Sequence, residues 1–392
     1  MILTSENLPE ILRSHYHTCE LDIPNLTRRA IAFNTWDRNN AFSSIEELRK
    51  ELINKNPASA YYSTARYLDP SAYAGAGNSA QTWADKDRKA TDLTFDLDFD
   101  HIEGHDDLTY AQQIKEIARH TDRLIDILEK QYGITKYKIY FSGRRGFHVR
   151  VYDEDYITLN KNDRKAIMNQ VMGNYLDRRS TLAFMQTNPR AGEVGFRLMQ
   201  PSMNNWGGLI RIVCDRLMES INNGTITPHV FIQDHWPKKL TTKEINILNE
   251  RFSKPTFRNR LIKTGDLKAF LGEKYGTKAR LENIYKMLEN LARKKYSVEI
   301  DTTVTAELNK IIRMPGSINT KHGYECREVE REELRDINYL FHNCAQTFGN
   351  KPTQIQISKA MTVHGERTFK LEAGVHTLPM HEAVLALCQI DQ

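Results

Sequence analysis

The stretch Leu93-Thr94-Phe95-Asp96-Leu97-Asp98-Phe99-Asp100 constrains the fold more than any other part of the chain. Its apolar residues take the odd positions and, after Thr94, its acids take the even ones. That period of two sorts side chains onto opposite faces only in a strand, where Asp96 and Asp98 share a face with Cα atoms roughly 6.6 Å apart. Like charges side by side on a strand repel. This face therefore either stands in solvent or meets a divalent cation, and oxygen-rich carboxylate sites suit Mg²⁺ or Mn²⁺.

The flanking sequence alternates between the two kinds of element. AYYSTARYL, from Ala60, has strand character and leads through the Gly/Ser/Ala-rich AGAGNSA to the acidic stretch. In TYAQQIKEIARHTDRLIDILEKQYG, Ile114, Ile117, Leu124 and Leu128 recur at helical spacing and the pattern stops at Gly133, which predicts an amphipathic helix. KYKIYFSG and FHVRVYD then alternate again. This strand–helix–strand order predicts a mixed or parallel sheet covered by helices, hence a mixed α/β (α+β) protein.

From residue 158 to 294 the strand signal fades and NKNDRKAIMNQVMGNYL, NWGGLIRIVCDRLMESI and KARLENIYKMLENLARKK carry helical patterns. A chain of 392 residues suits two domains or one domain with an insertion. The expected organisation is a core of residues 1–157 and 295–392 interrupted by a mainly helical subdomain, 158–294. YSVEID is expected to return to strand, TVTAELNKII to form a helix ending at the Pro315–Gly316 break, and the remainder to form short strands and a closing helix.

A second chemical cluster is Ser142-Gly143-Arg144-Arg145-Gly146-Phe147-His148. Two glycines bracket a tight turn, so a hydroxyl, backbone N–H groups and two guanidinium forks gather in a small volume, a set suited to polyphosphate. Beyond the turn Phe147, Val149 and Val151 face one way and His148 and Arg150 the other. A basic hairpin tip in solvent is the alternative. A third cluster pairs Asp301, which either joins Asp96 and Asp98 as a metal ligand or caps the following helix, with RMPGSINTKHG. There Arg313, Ser317, Asn319 and Lys321 form either an anion-binding loop or a polar connector.

Net charge is only +5, but residues 251–295 carry thirteen Lys or Arg against four acids, a local +9. This is either a cationic face, with Lys254, Arg258 and Arg260 as DNA-contact candidates, or a solvated set of helix faces. The five cysteines (Cys19, Cys214, Cys326, Cys344, Cys388) form no CxxC pair, which argues against a disulfide framework and a thiolate zinc site. No apolar run reaches membrane-helix length and the N-terminus has no secretory pattern, so the expected setting is a soluble intracellular protein.

In order and spacing, FDLDFD, SGRRGFH and Asp301 with RMPGSINTKHG resemble the catalytic small subunit of archaeal and eukaryotic DNA primases. The resemblance extends to IPNLTRRAIAF, AYYSTARYLDP and VHTLPMHEAVLAL, nearly the whole chain, and is weakest in the helical insertion. It implies a primase catalytic core in which Asp96, Asp98 and Asp301 hold two Mg²⁺ or Mn²⁺ ions. Ser142, Arg144, Arg145 and His148 would grip the triphosphate, assisted by Arg313, Ser317, Asn319 and Lys321, with Arg38 of WDRNNAF in a loosely matching arginine segment.

Two departures stand out. The cysteine-rich knuckle usual after the acidic strand has no counterpart in residues 101–135, so structural zinc is not expected, and Asn319 stands where the family has histidine. The implied activity is template-directed primer synthesis on single-stranded DNA from nucleoside triphosphates, with tyrosine stacking and basic surface on the template. A large iron–sulfur subunit is an implied partner and no membrane is involved. The location would be the cytoplasm for an archaeal or viral protein and the nucleus for a eukaryotic one. The rival functions are a repair or end-joining polymerase of the same superfamily and an inactive single-stranded-DNA-binding relative.

Overall fold

Leu93, Phe95 and Leu97 bury one face of the strand Leu93–Asp98 completely, while Thr94, Asp96 and Asp98 take the other, so the alternation read from the sequence is the alternation that forms. The computed structural model describes residues 2–34, 37–72, 87–102, 107–188, 193–237, 239–272 and 274–390. The acidic strand lies at the edge of a four-stranded sheet ordered Arg327–Val329, Tyr137–Phe141, Gly146–Val151, Leu93–Asp98. Every pairing in it is antiparallel. The mixed or parallel sheet expected here does not form, because the turn after Phe141 folds Gly146–Val151 back between its two neighbours. Among the described residues, parallel pairing occurs between Ile2–Leu3 and Gln354–Ile355.

The helix between these strands runs Tyr110–Tyr132. Ile114, Ile117, Leu124 and Leu128 are all fully buried, each contributing roughly 1.5–3 kcal/mol of apolar burial. The protein is mixed α/β, with several small sheets among its helices.

The chain divides into two units, one of Met1–Ile125, Ile134–Met168 and Glu299–Gln392, the other of Asp126–Gly133 and Asn169–Val298. In the first, a second four-stranded antiparallel sheet is ordered Ile311–Arg313, Ala60–Ser63, Ile31–Phe33, Asp37–Asn40. AYYSTARYL is thus two strands, Ala60–Ser63 and Ala65–Tyr67, in different sheets. The helix expected over TVTAELNKII is only Thr302–Ala306, because Ile311 and Ile312 find ladder partners in Ser63 and Tyr62, which suits β-branched side chains better than a helix. YSVEID forms no strand and delivers Asp301 directly to that helix's N-cap.

Behind the acidic strand, buried Asp92 holds two guanidinium groups, Arg29 at 2.5 Å and Arg66 at 2.7 Å. Arg29 also donates to the carbonyls of Ser63 and Thr64, and Arg164 to those of Thr91 and Asp92. This pairing satisfies charges that would otherwise be costly to bury.

The second unit buries Trp206, Ile210, Ile284 and Leu288 among its helices, which include Trp206–Asn222 and Lys278–Tyr296. Its hairpin of Leu182–Asn188 and Glu193–Leu198 had no strand signal strong enough to be expected. The cations of the basic run are not all in solvent. Arg258 is buried at 5% exposure, with Nε donating to Asn222 Oδ1 at 2.6 Å. Arg251 lies over the Phe257 ring, Lys254 pairs with Glu250, and Arg280 pairs with Glu244. No helix among the described residues is long and apolar enough to cross a membrane.

Candidate active site

Register brings the first two motifs together: Asp96 sits opposite His148 and Asp98 opposite Gly146. The turn joining the hairpin strands needs glycine at residue 143, where φ is +74° and a Cβ would lie 2.5 Å from the Tyr324 carbonyl oxygen. Ser142 N–H closes the turn on the Gly146 carbonyl at 2.9 Å. Asp98 accepts the Asp100 N–H at 3.1 Å and so caps the short turn Phe99–His101. That turn aims Asp100 at both arginines: Arg144 lies 3.4 Å away and Arg145 forms an ion pair.

Asp301 takes up the capping alternative, and its main chain ties it to Asp96. Its carboxylate accepts the N–H groups of Thr303 (2.7 Å) and Val304 (3.3 Å), capping the helix, while its own N–H donates to the Asp96 carbonyl at 2.7 Å. Burial, then Asp98 and Asp301, push the Asp96 carboxyl up to about 8, with Arg313 pulling the other way. Asp98 is also raised, chiefly by burial. His148 Nε2 lies 3.6 Å from Asp96 Oδ1, beyond hydrogen-bond reach, and burial followed by Arg313 holds its imidazole down at about 3. We read this as a neutral imidazole beside a carboxyl, not as an ion pair, because desolvation outweighs a contact of that length.

The third motif turns at Gly316, where φ is +84° and a Cβ would run into the Glu20 carbonyl. Arg313 Nη2 donates to the Tyr61 hydroxyl at 3.1 Å, whereas its Nη1 is buried without a partner. Asn319 clips the two loops together: Nδ2 donates to the Ser142 carbonyl at 3.4 Å and Oδ1 accepts the Lys321 N–H at 3.2 Å. Ser317 is fully buried and its hydroxyl donates to the Met314 carbonyl at 2.6 Å, so the side chain serves the turn. Arg38 belongs by its backbone to the strand Asp37–Asn40; its side chain lies outside the described residues.

The fold thus gathers Asp96, Asp98, Asp301, His148 and Arg313 around one patch, and Arg144 and Arg145 around Asp100. Sequence reasoning missed the roles of Asp100, Arg150 and Tyr110. Arg150 is buried between the Tyr62 and Tyr140 rings (4.5 and 4.3 Å to centroid) and donates to the Arg313 carbonyl at 2.9 Å, joining the two four-stranded sheets. Its place beside His148 in the alternation was the available signal. The Tyr110 hydroxyl donates to the Arg144 carbonyl.

Among the described residues, no three His, Cys, Asp or Glu side chains converge into a ready-made metal cluster. The chemistry of the donor set nevertheless fits a divalent cation. Burial, then the Asp98 and Asp301 carboxylates, press Asp96 toward its protonated form, and a cation would offset the carboxylates' part.

A family model described as the DNA primase small subunit matches residues 95–331, more than half of the chain. The chain belongs to the DNA primase small subunit family. The match starts within the acidic strand and runs past the RMPGSINTKHG loop, so it spans all three motifs. Archaeal relatives named DNA primase small subunit PriS extend the likeness to near full length. The protein of Methanococcoides burtonii is 26% identical, covering 98% of this chain and 97% of its own. That of Natronomonas pharaonis is also 26% identical over 98% and 97%. That of Archaeoglobus fulgidus is 25% identical over 100% and 98%.

Proposed function

We propose that this primase-family chain synthesises primers on a single-stranded DNA template, and that its catalytic centre is Asp96, Asp98 and Asp301 facing the SGRRGFH turn. The observation that carries this reading is the register of the acidic strand against the turn, Asp96 opposite His148 and Asp98 opposite Gly146, with Asp301 bonded to the Asp96 main chain. Carboxylates and phosphate-gripping cations then lie within one hairpin of each other.

Asp96, Asp98 and Asp301 would hold Mg²⁺ or Mn²⁺, which when bound supplies charge neutralisation at the reacting phosphate and lowers the pKa of the attacking hydroxyl. Arg144 and Arg145 present bidentate donors for the β- and γ-phosphates, and the turn's N–H groups add to them. Ser142 and Lys321 flank that grip. Arg313 stands beside Asp96 with a donor that lacks a partner, and would meet charge on the α-phosphate. Little proton chemistry is asked of the protein, since phosphoryl transfer depends mainly on positioning and electrostatics. A large primase subunit is the partner this reading calls for.

The deciding experiment supplies single-stranded template, ribo- and deoxynucleotides and Mg²⁺ or Mn²⁺, with no pre-existing 3′ end. Primers should form with the wild type and vanish with Asp96→Ala or Asp98→Ala, both still folded by circular dichroism. Extension only of supplied 3′ ends would instead make the chain a repair-type polymerase, and undiminished synthesis by either variant would remove the carboxylates from the mechanism.

A further inference from the structure

Tyr175 is 91% exposed, and the next most exposed large apolar or aromatic side chain among the described residues, Leu68, reaches 55%. Its backbone is as unusual as its surface. There φ is +53°, in the left-handed region, and the other non-glycine residues of positive φ among those described are Asn25, Asn34, Asn56 and Asp87. Asparagine and aspartate enter that region readily, whereas a bulky side chain there is strained. The chain thus forgoes the burial of an aromatic ring and accepts strain at one and the same position, a combination that marks the ring as used.

The loop that carries Tyr175 is firmly built. It follows the helix Lys161–Met172. Gly173 adopts φ +65° against the Trp206 ring, where a Cβ would lie 2.6 Å from the ring carbons. Trp206 Nε1 donates to the Gln170 carbonyl at 2.6 Å, and the Asn174 N–H donates to the Asn169 carbonyl at 2.7 Å. Arg293 Nη2 donates to Asn174 Oδ1 at 2.8 Å, and Leu176 packs on the helical core. Both neighbours of Tyr175 are therefore anchored while its ring stands in solvent. With the backbone already ordered, a flat partner has only the tyrosine's side-chain torsions to fix.

The charge around the loop selects the partner. Arg178 and Arg179 follow three and four residues on, both exposed, and Arg293 is bonded to Asn174. The acids nearby are already committed. The Asp177 carboxylate accepts the Arg179 N–H at 2.9 Å, and Glu282 pairs with Arg178 at 3.2 Å. Burial raises the half-buried Glu289 carboxyl while Arg293, Arg178 and Lys286 lower it, so that acid sits among three cations. An exposed aromatic ring beside surplus cations suits single-stranded nucleic acid, whose bases stack on the ring and whose phosphates meet the guanidinium groups.

We propose that Tyr175 is a base-stacking platform for single-stranded DNA, with Arg178, Arg179 and Arg293 meeting the strand's phosphates. The proposal rests on the primer-synthesis reading only for the choice of DNA as the strand. It adds a contact in the second unit that neither the carboxylates nor the hairpin turn supplies.

The test is fluorescence anisotropy of a labelled oligothymidylate titrated with the full chain, without nucleotides or divalent ions. Tyr175→Ala should weaken binding about 10-fold, and Tyr175→Phe, which keeps the ring, should stay within about 2-fold of the wild type. Tyr175→Gly should bind as weakly as Tyr175→Ala yet melt no lower than the wild type, because glycine takes positive φ without strain; its loss of binding is then no loss of fold. The dependence of binding on salt should be unchanged in Tyr175→Ala and shallower in Arg179→Ala, by roughly 0.7 of a unit of slope for a phosphate no longer neutralised. Alanine and glycine variants that bind like the wild type, a phenylalanine variant as weak as the alanine one, or a wild type that does not bind the strand would each overturn the proposal. So would a wild-type self-association, read by sedimentation, that Tyr175→Ala abolishes at unchanged DNA affinity, since the ring would then be a contact between copies of the chain. The assay contains no nucleotide, so a chain that makes no primers can still pass it and one that makes them can still fail it.

Discussion

The main-chain N–H of Asp301 donates to the carbonyl of Asp96 at 2.7 Å, tying the third carboxylate to the first. Asp96 in turn feels Asp98 and Asp301 more strongly than it feels Arg313. In metal-free protein burial and then this repulsion disfavour the Asp96 carboxylate; Asp96→Asn removes both, and the variant should melt higher in EDTA, by about 1–2 °C for each kcal/mol relieved. Millimolar Mg²⁺ or Mn²⁺ should raise the wild-type Tm by mass action and leave the variant unmoved. Differential scanning fluorimetry reads all four conditions, and a wild type indifferent to both ions would contradict the carboxylate cluster as a cation site.

Two residues before Asp301, the Glu299 N–H donates to His120 Nδ1 at 3.3 Å. Burial, then Arg123, hold the His120 imidazole down at about 4, with Glu116 raising it and Arg119 lowering it. Between pH 4 and 6.5 the unfolded chain thus takes up a proton that the folded one refuses. Stability from this group rises with pH across that window and is constant above it, by at most ~3 kcal/mol. Urea denaturation of wild type and His120→Gln at several pH values should give curves that differ most in slope between pH 4.5 and 6.5. Parallel curves would remove His120 from the pH response.

Asp100 competes with phosphate for Arg144 and Arg145. The three side chains are partly exposed (44%, 34% and 26%), so the pairing is screened and each contact is weak. Asp100→Asn should free both guanidinium groups and lower the KM for nucleotide by about 2- to 5-fold with kcat little changed. Steady-state primer synthesis measures both constants, and a KM that rises would make Asp100 a necessary orienter of the arginines.

What could be read in the chain follows from the range of each interaction. The acidic strand and the helix Tyr110–Tyr132 were legible because alternation and 3.6-residue periodicity are local signals that their burial then satisfies. Ile311–Arg313 was not, because its strand character comes from Ala60–Ser63, far away in sequence. For the same reason the sheet's antiparallel order was hidden: nothing local says that Gly146–Val151 inserts between Tyr137–Phe141 and Leu93–Asp98. In the candidate site the reactive residue types stood out, but not their commitments. Ser317 gives its hydroxyl to Met314, Asp100 holds both arginines, and Arg150 lies between two tyrosines from different strands. Each depends on a partner that only the folded chain supplies.

The basic run 251–295 mixes a buried cation with exposed ones. Arg258 is buried, bonded to Asn222 and to the Phe252 carbonyl, whereas Lys254 is exposed and paired with Glu250 across one helical turn. Arg258→Ala should therefore cost about 2–4 kcal/mol, through poorer packing and two acceptors left without their donor, while Lys254→Ala stays within about 0.5 kcal/mol. Denaturant midpoints test the contrast. If the run touches DNA, the effect belongs to its exposed cations: Lys254→Ala with Arg260→Ala should flatten the dependence of binding on salt at unchanged stability, by roughly one unit of slope for each phosphate no longer neutralised. An unchanged slope in that double variant would assign the charges to solvation of the helices, because a cation that neutralises no phosphate releases no counterion when it is removed.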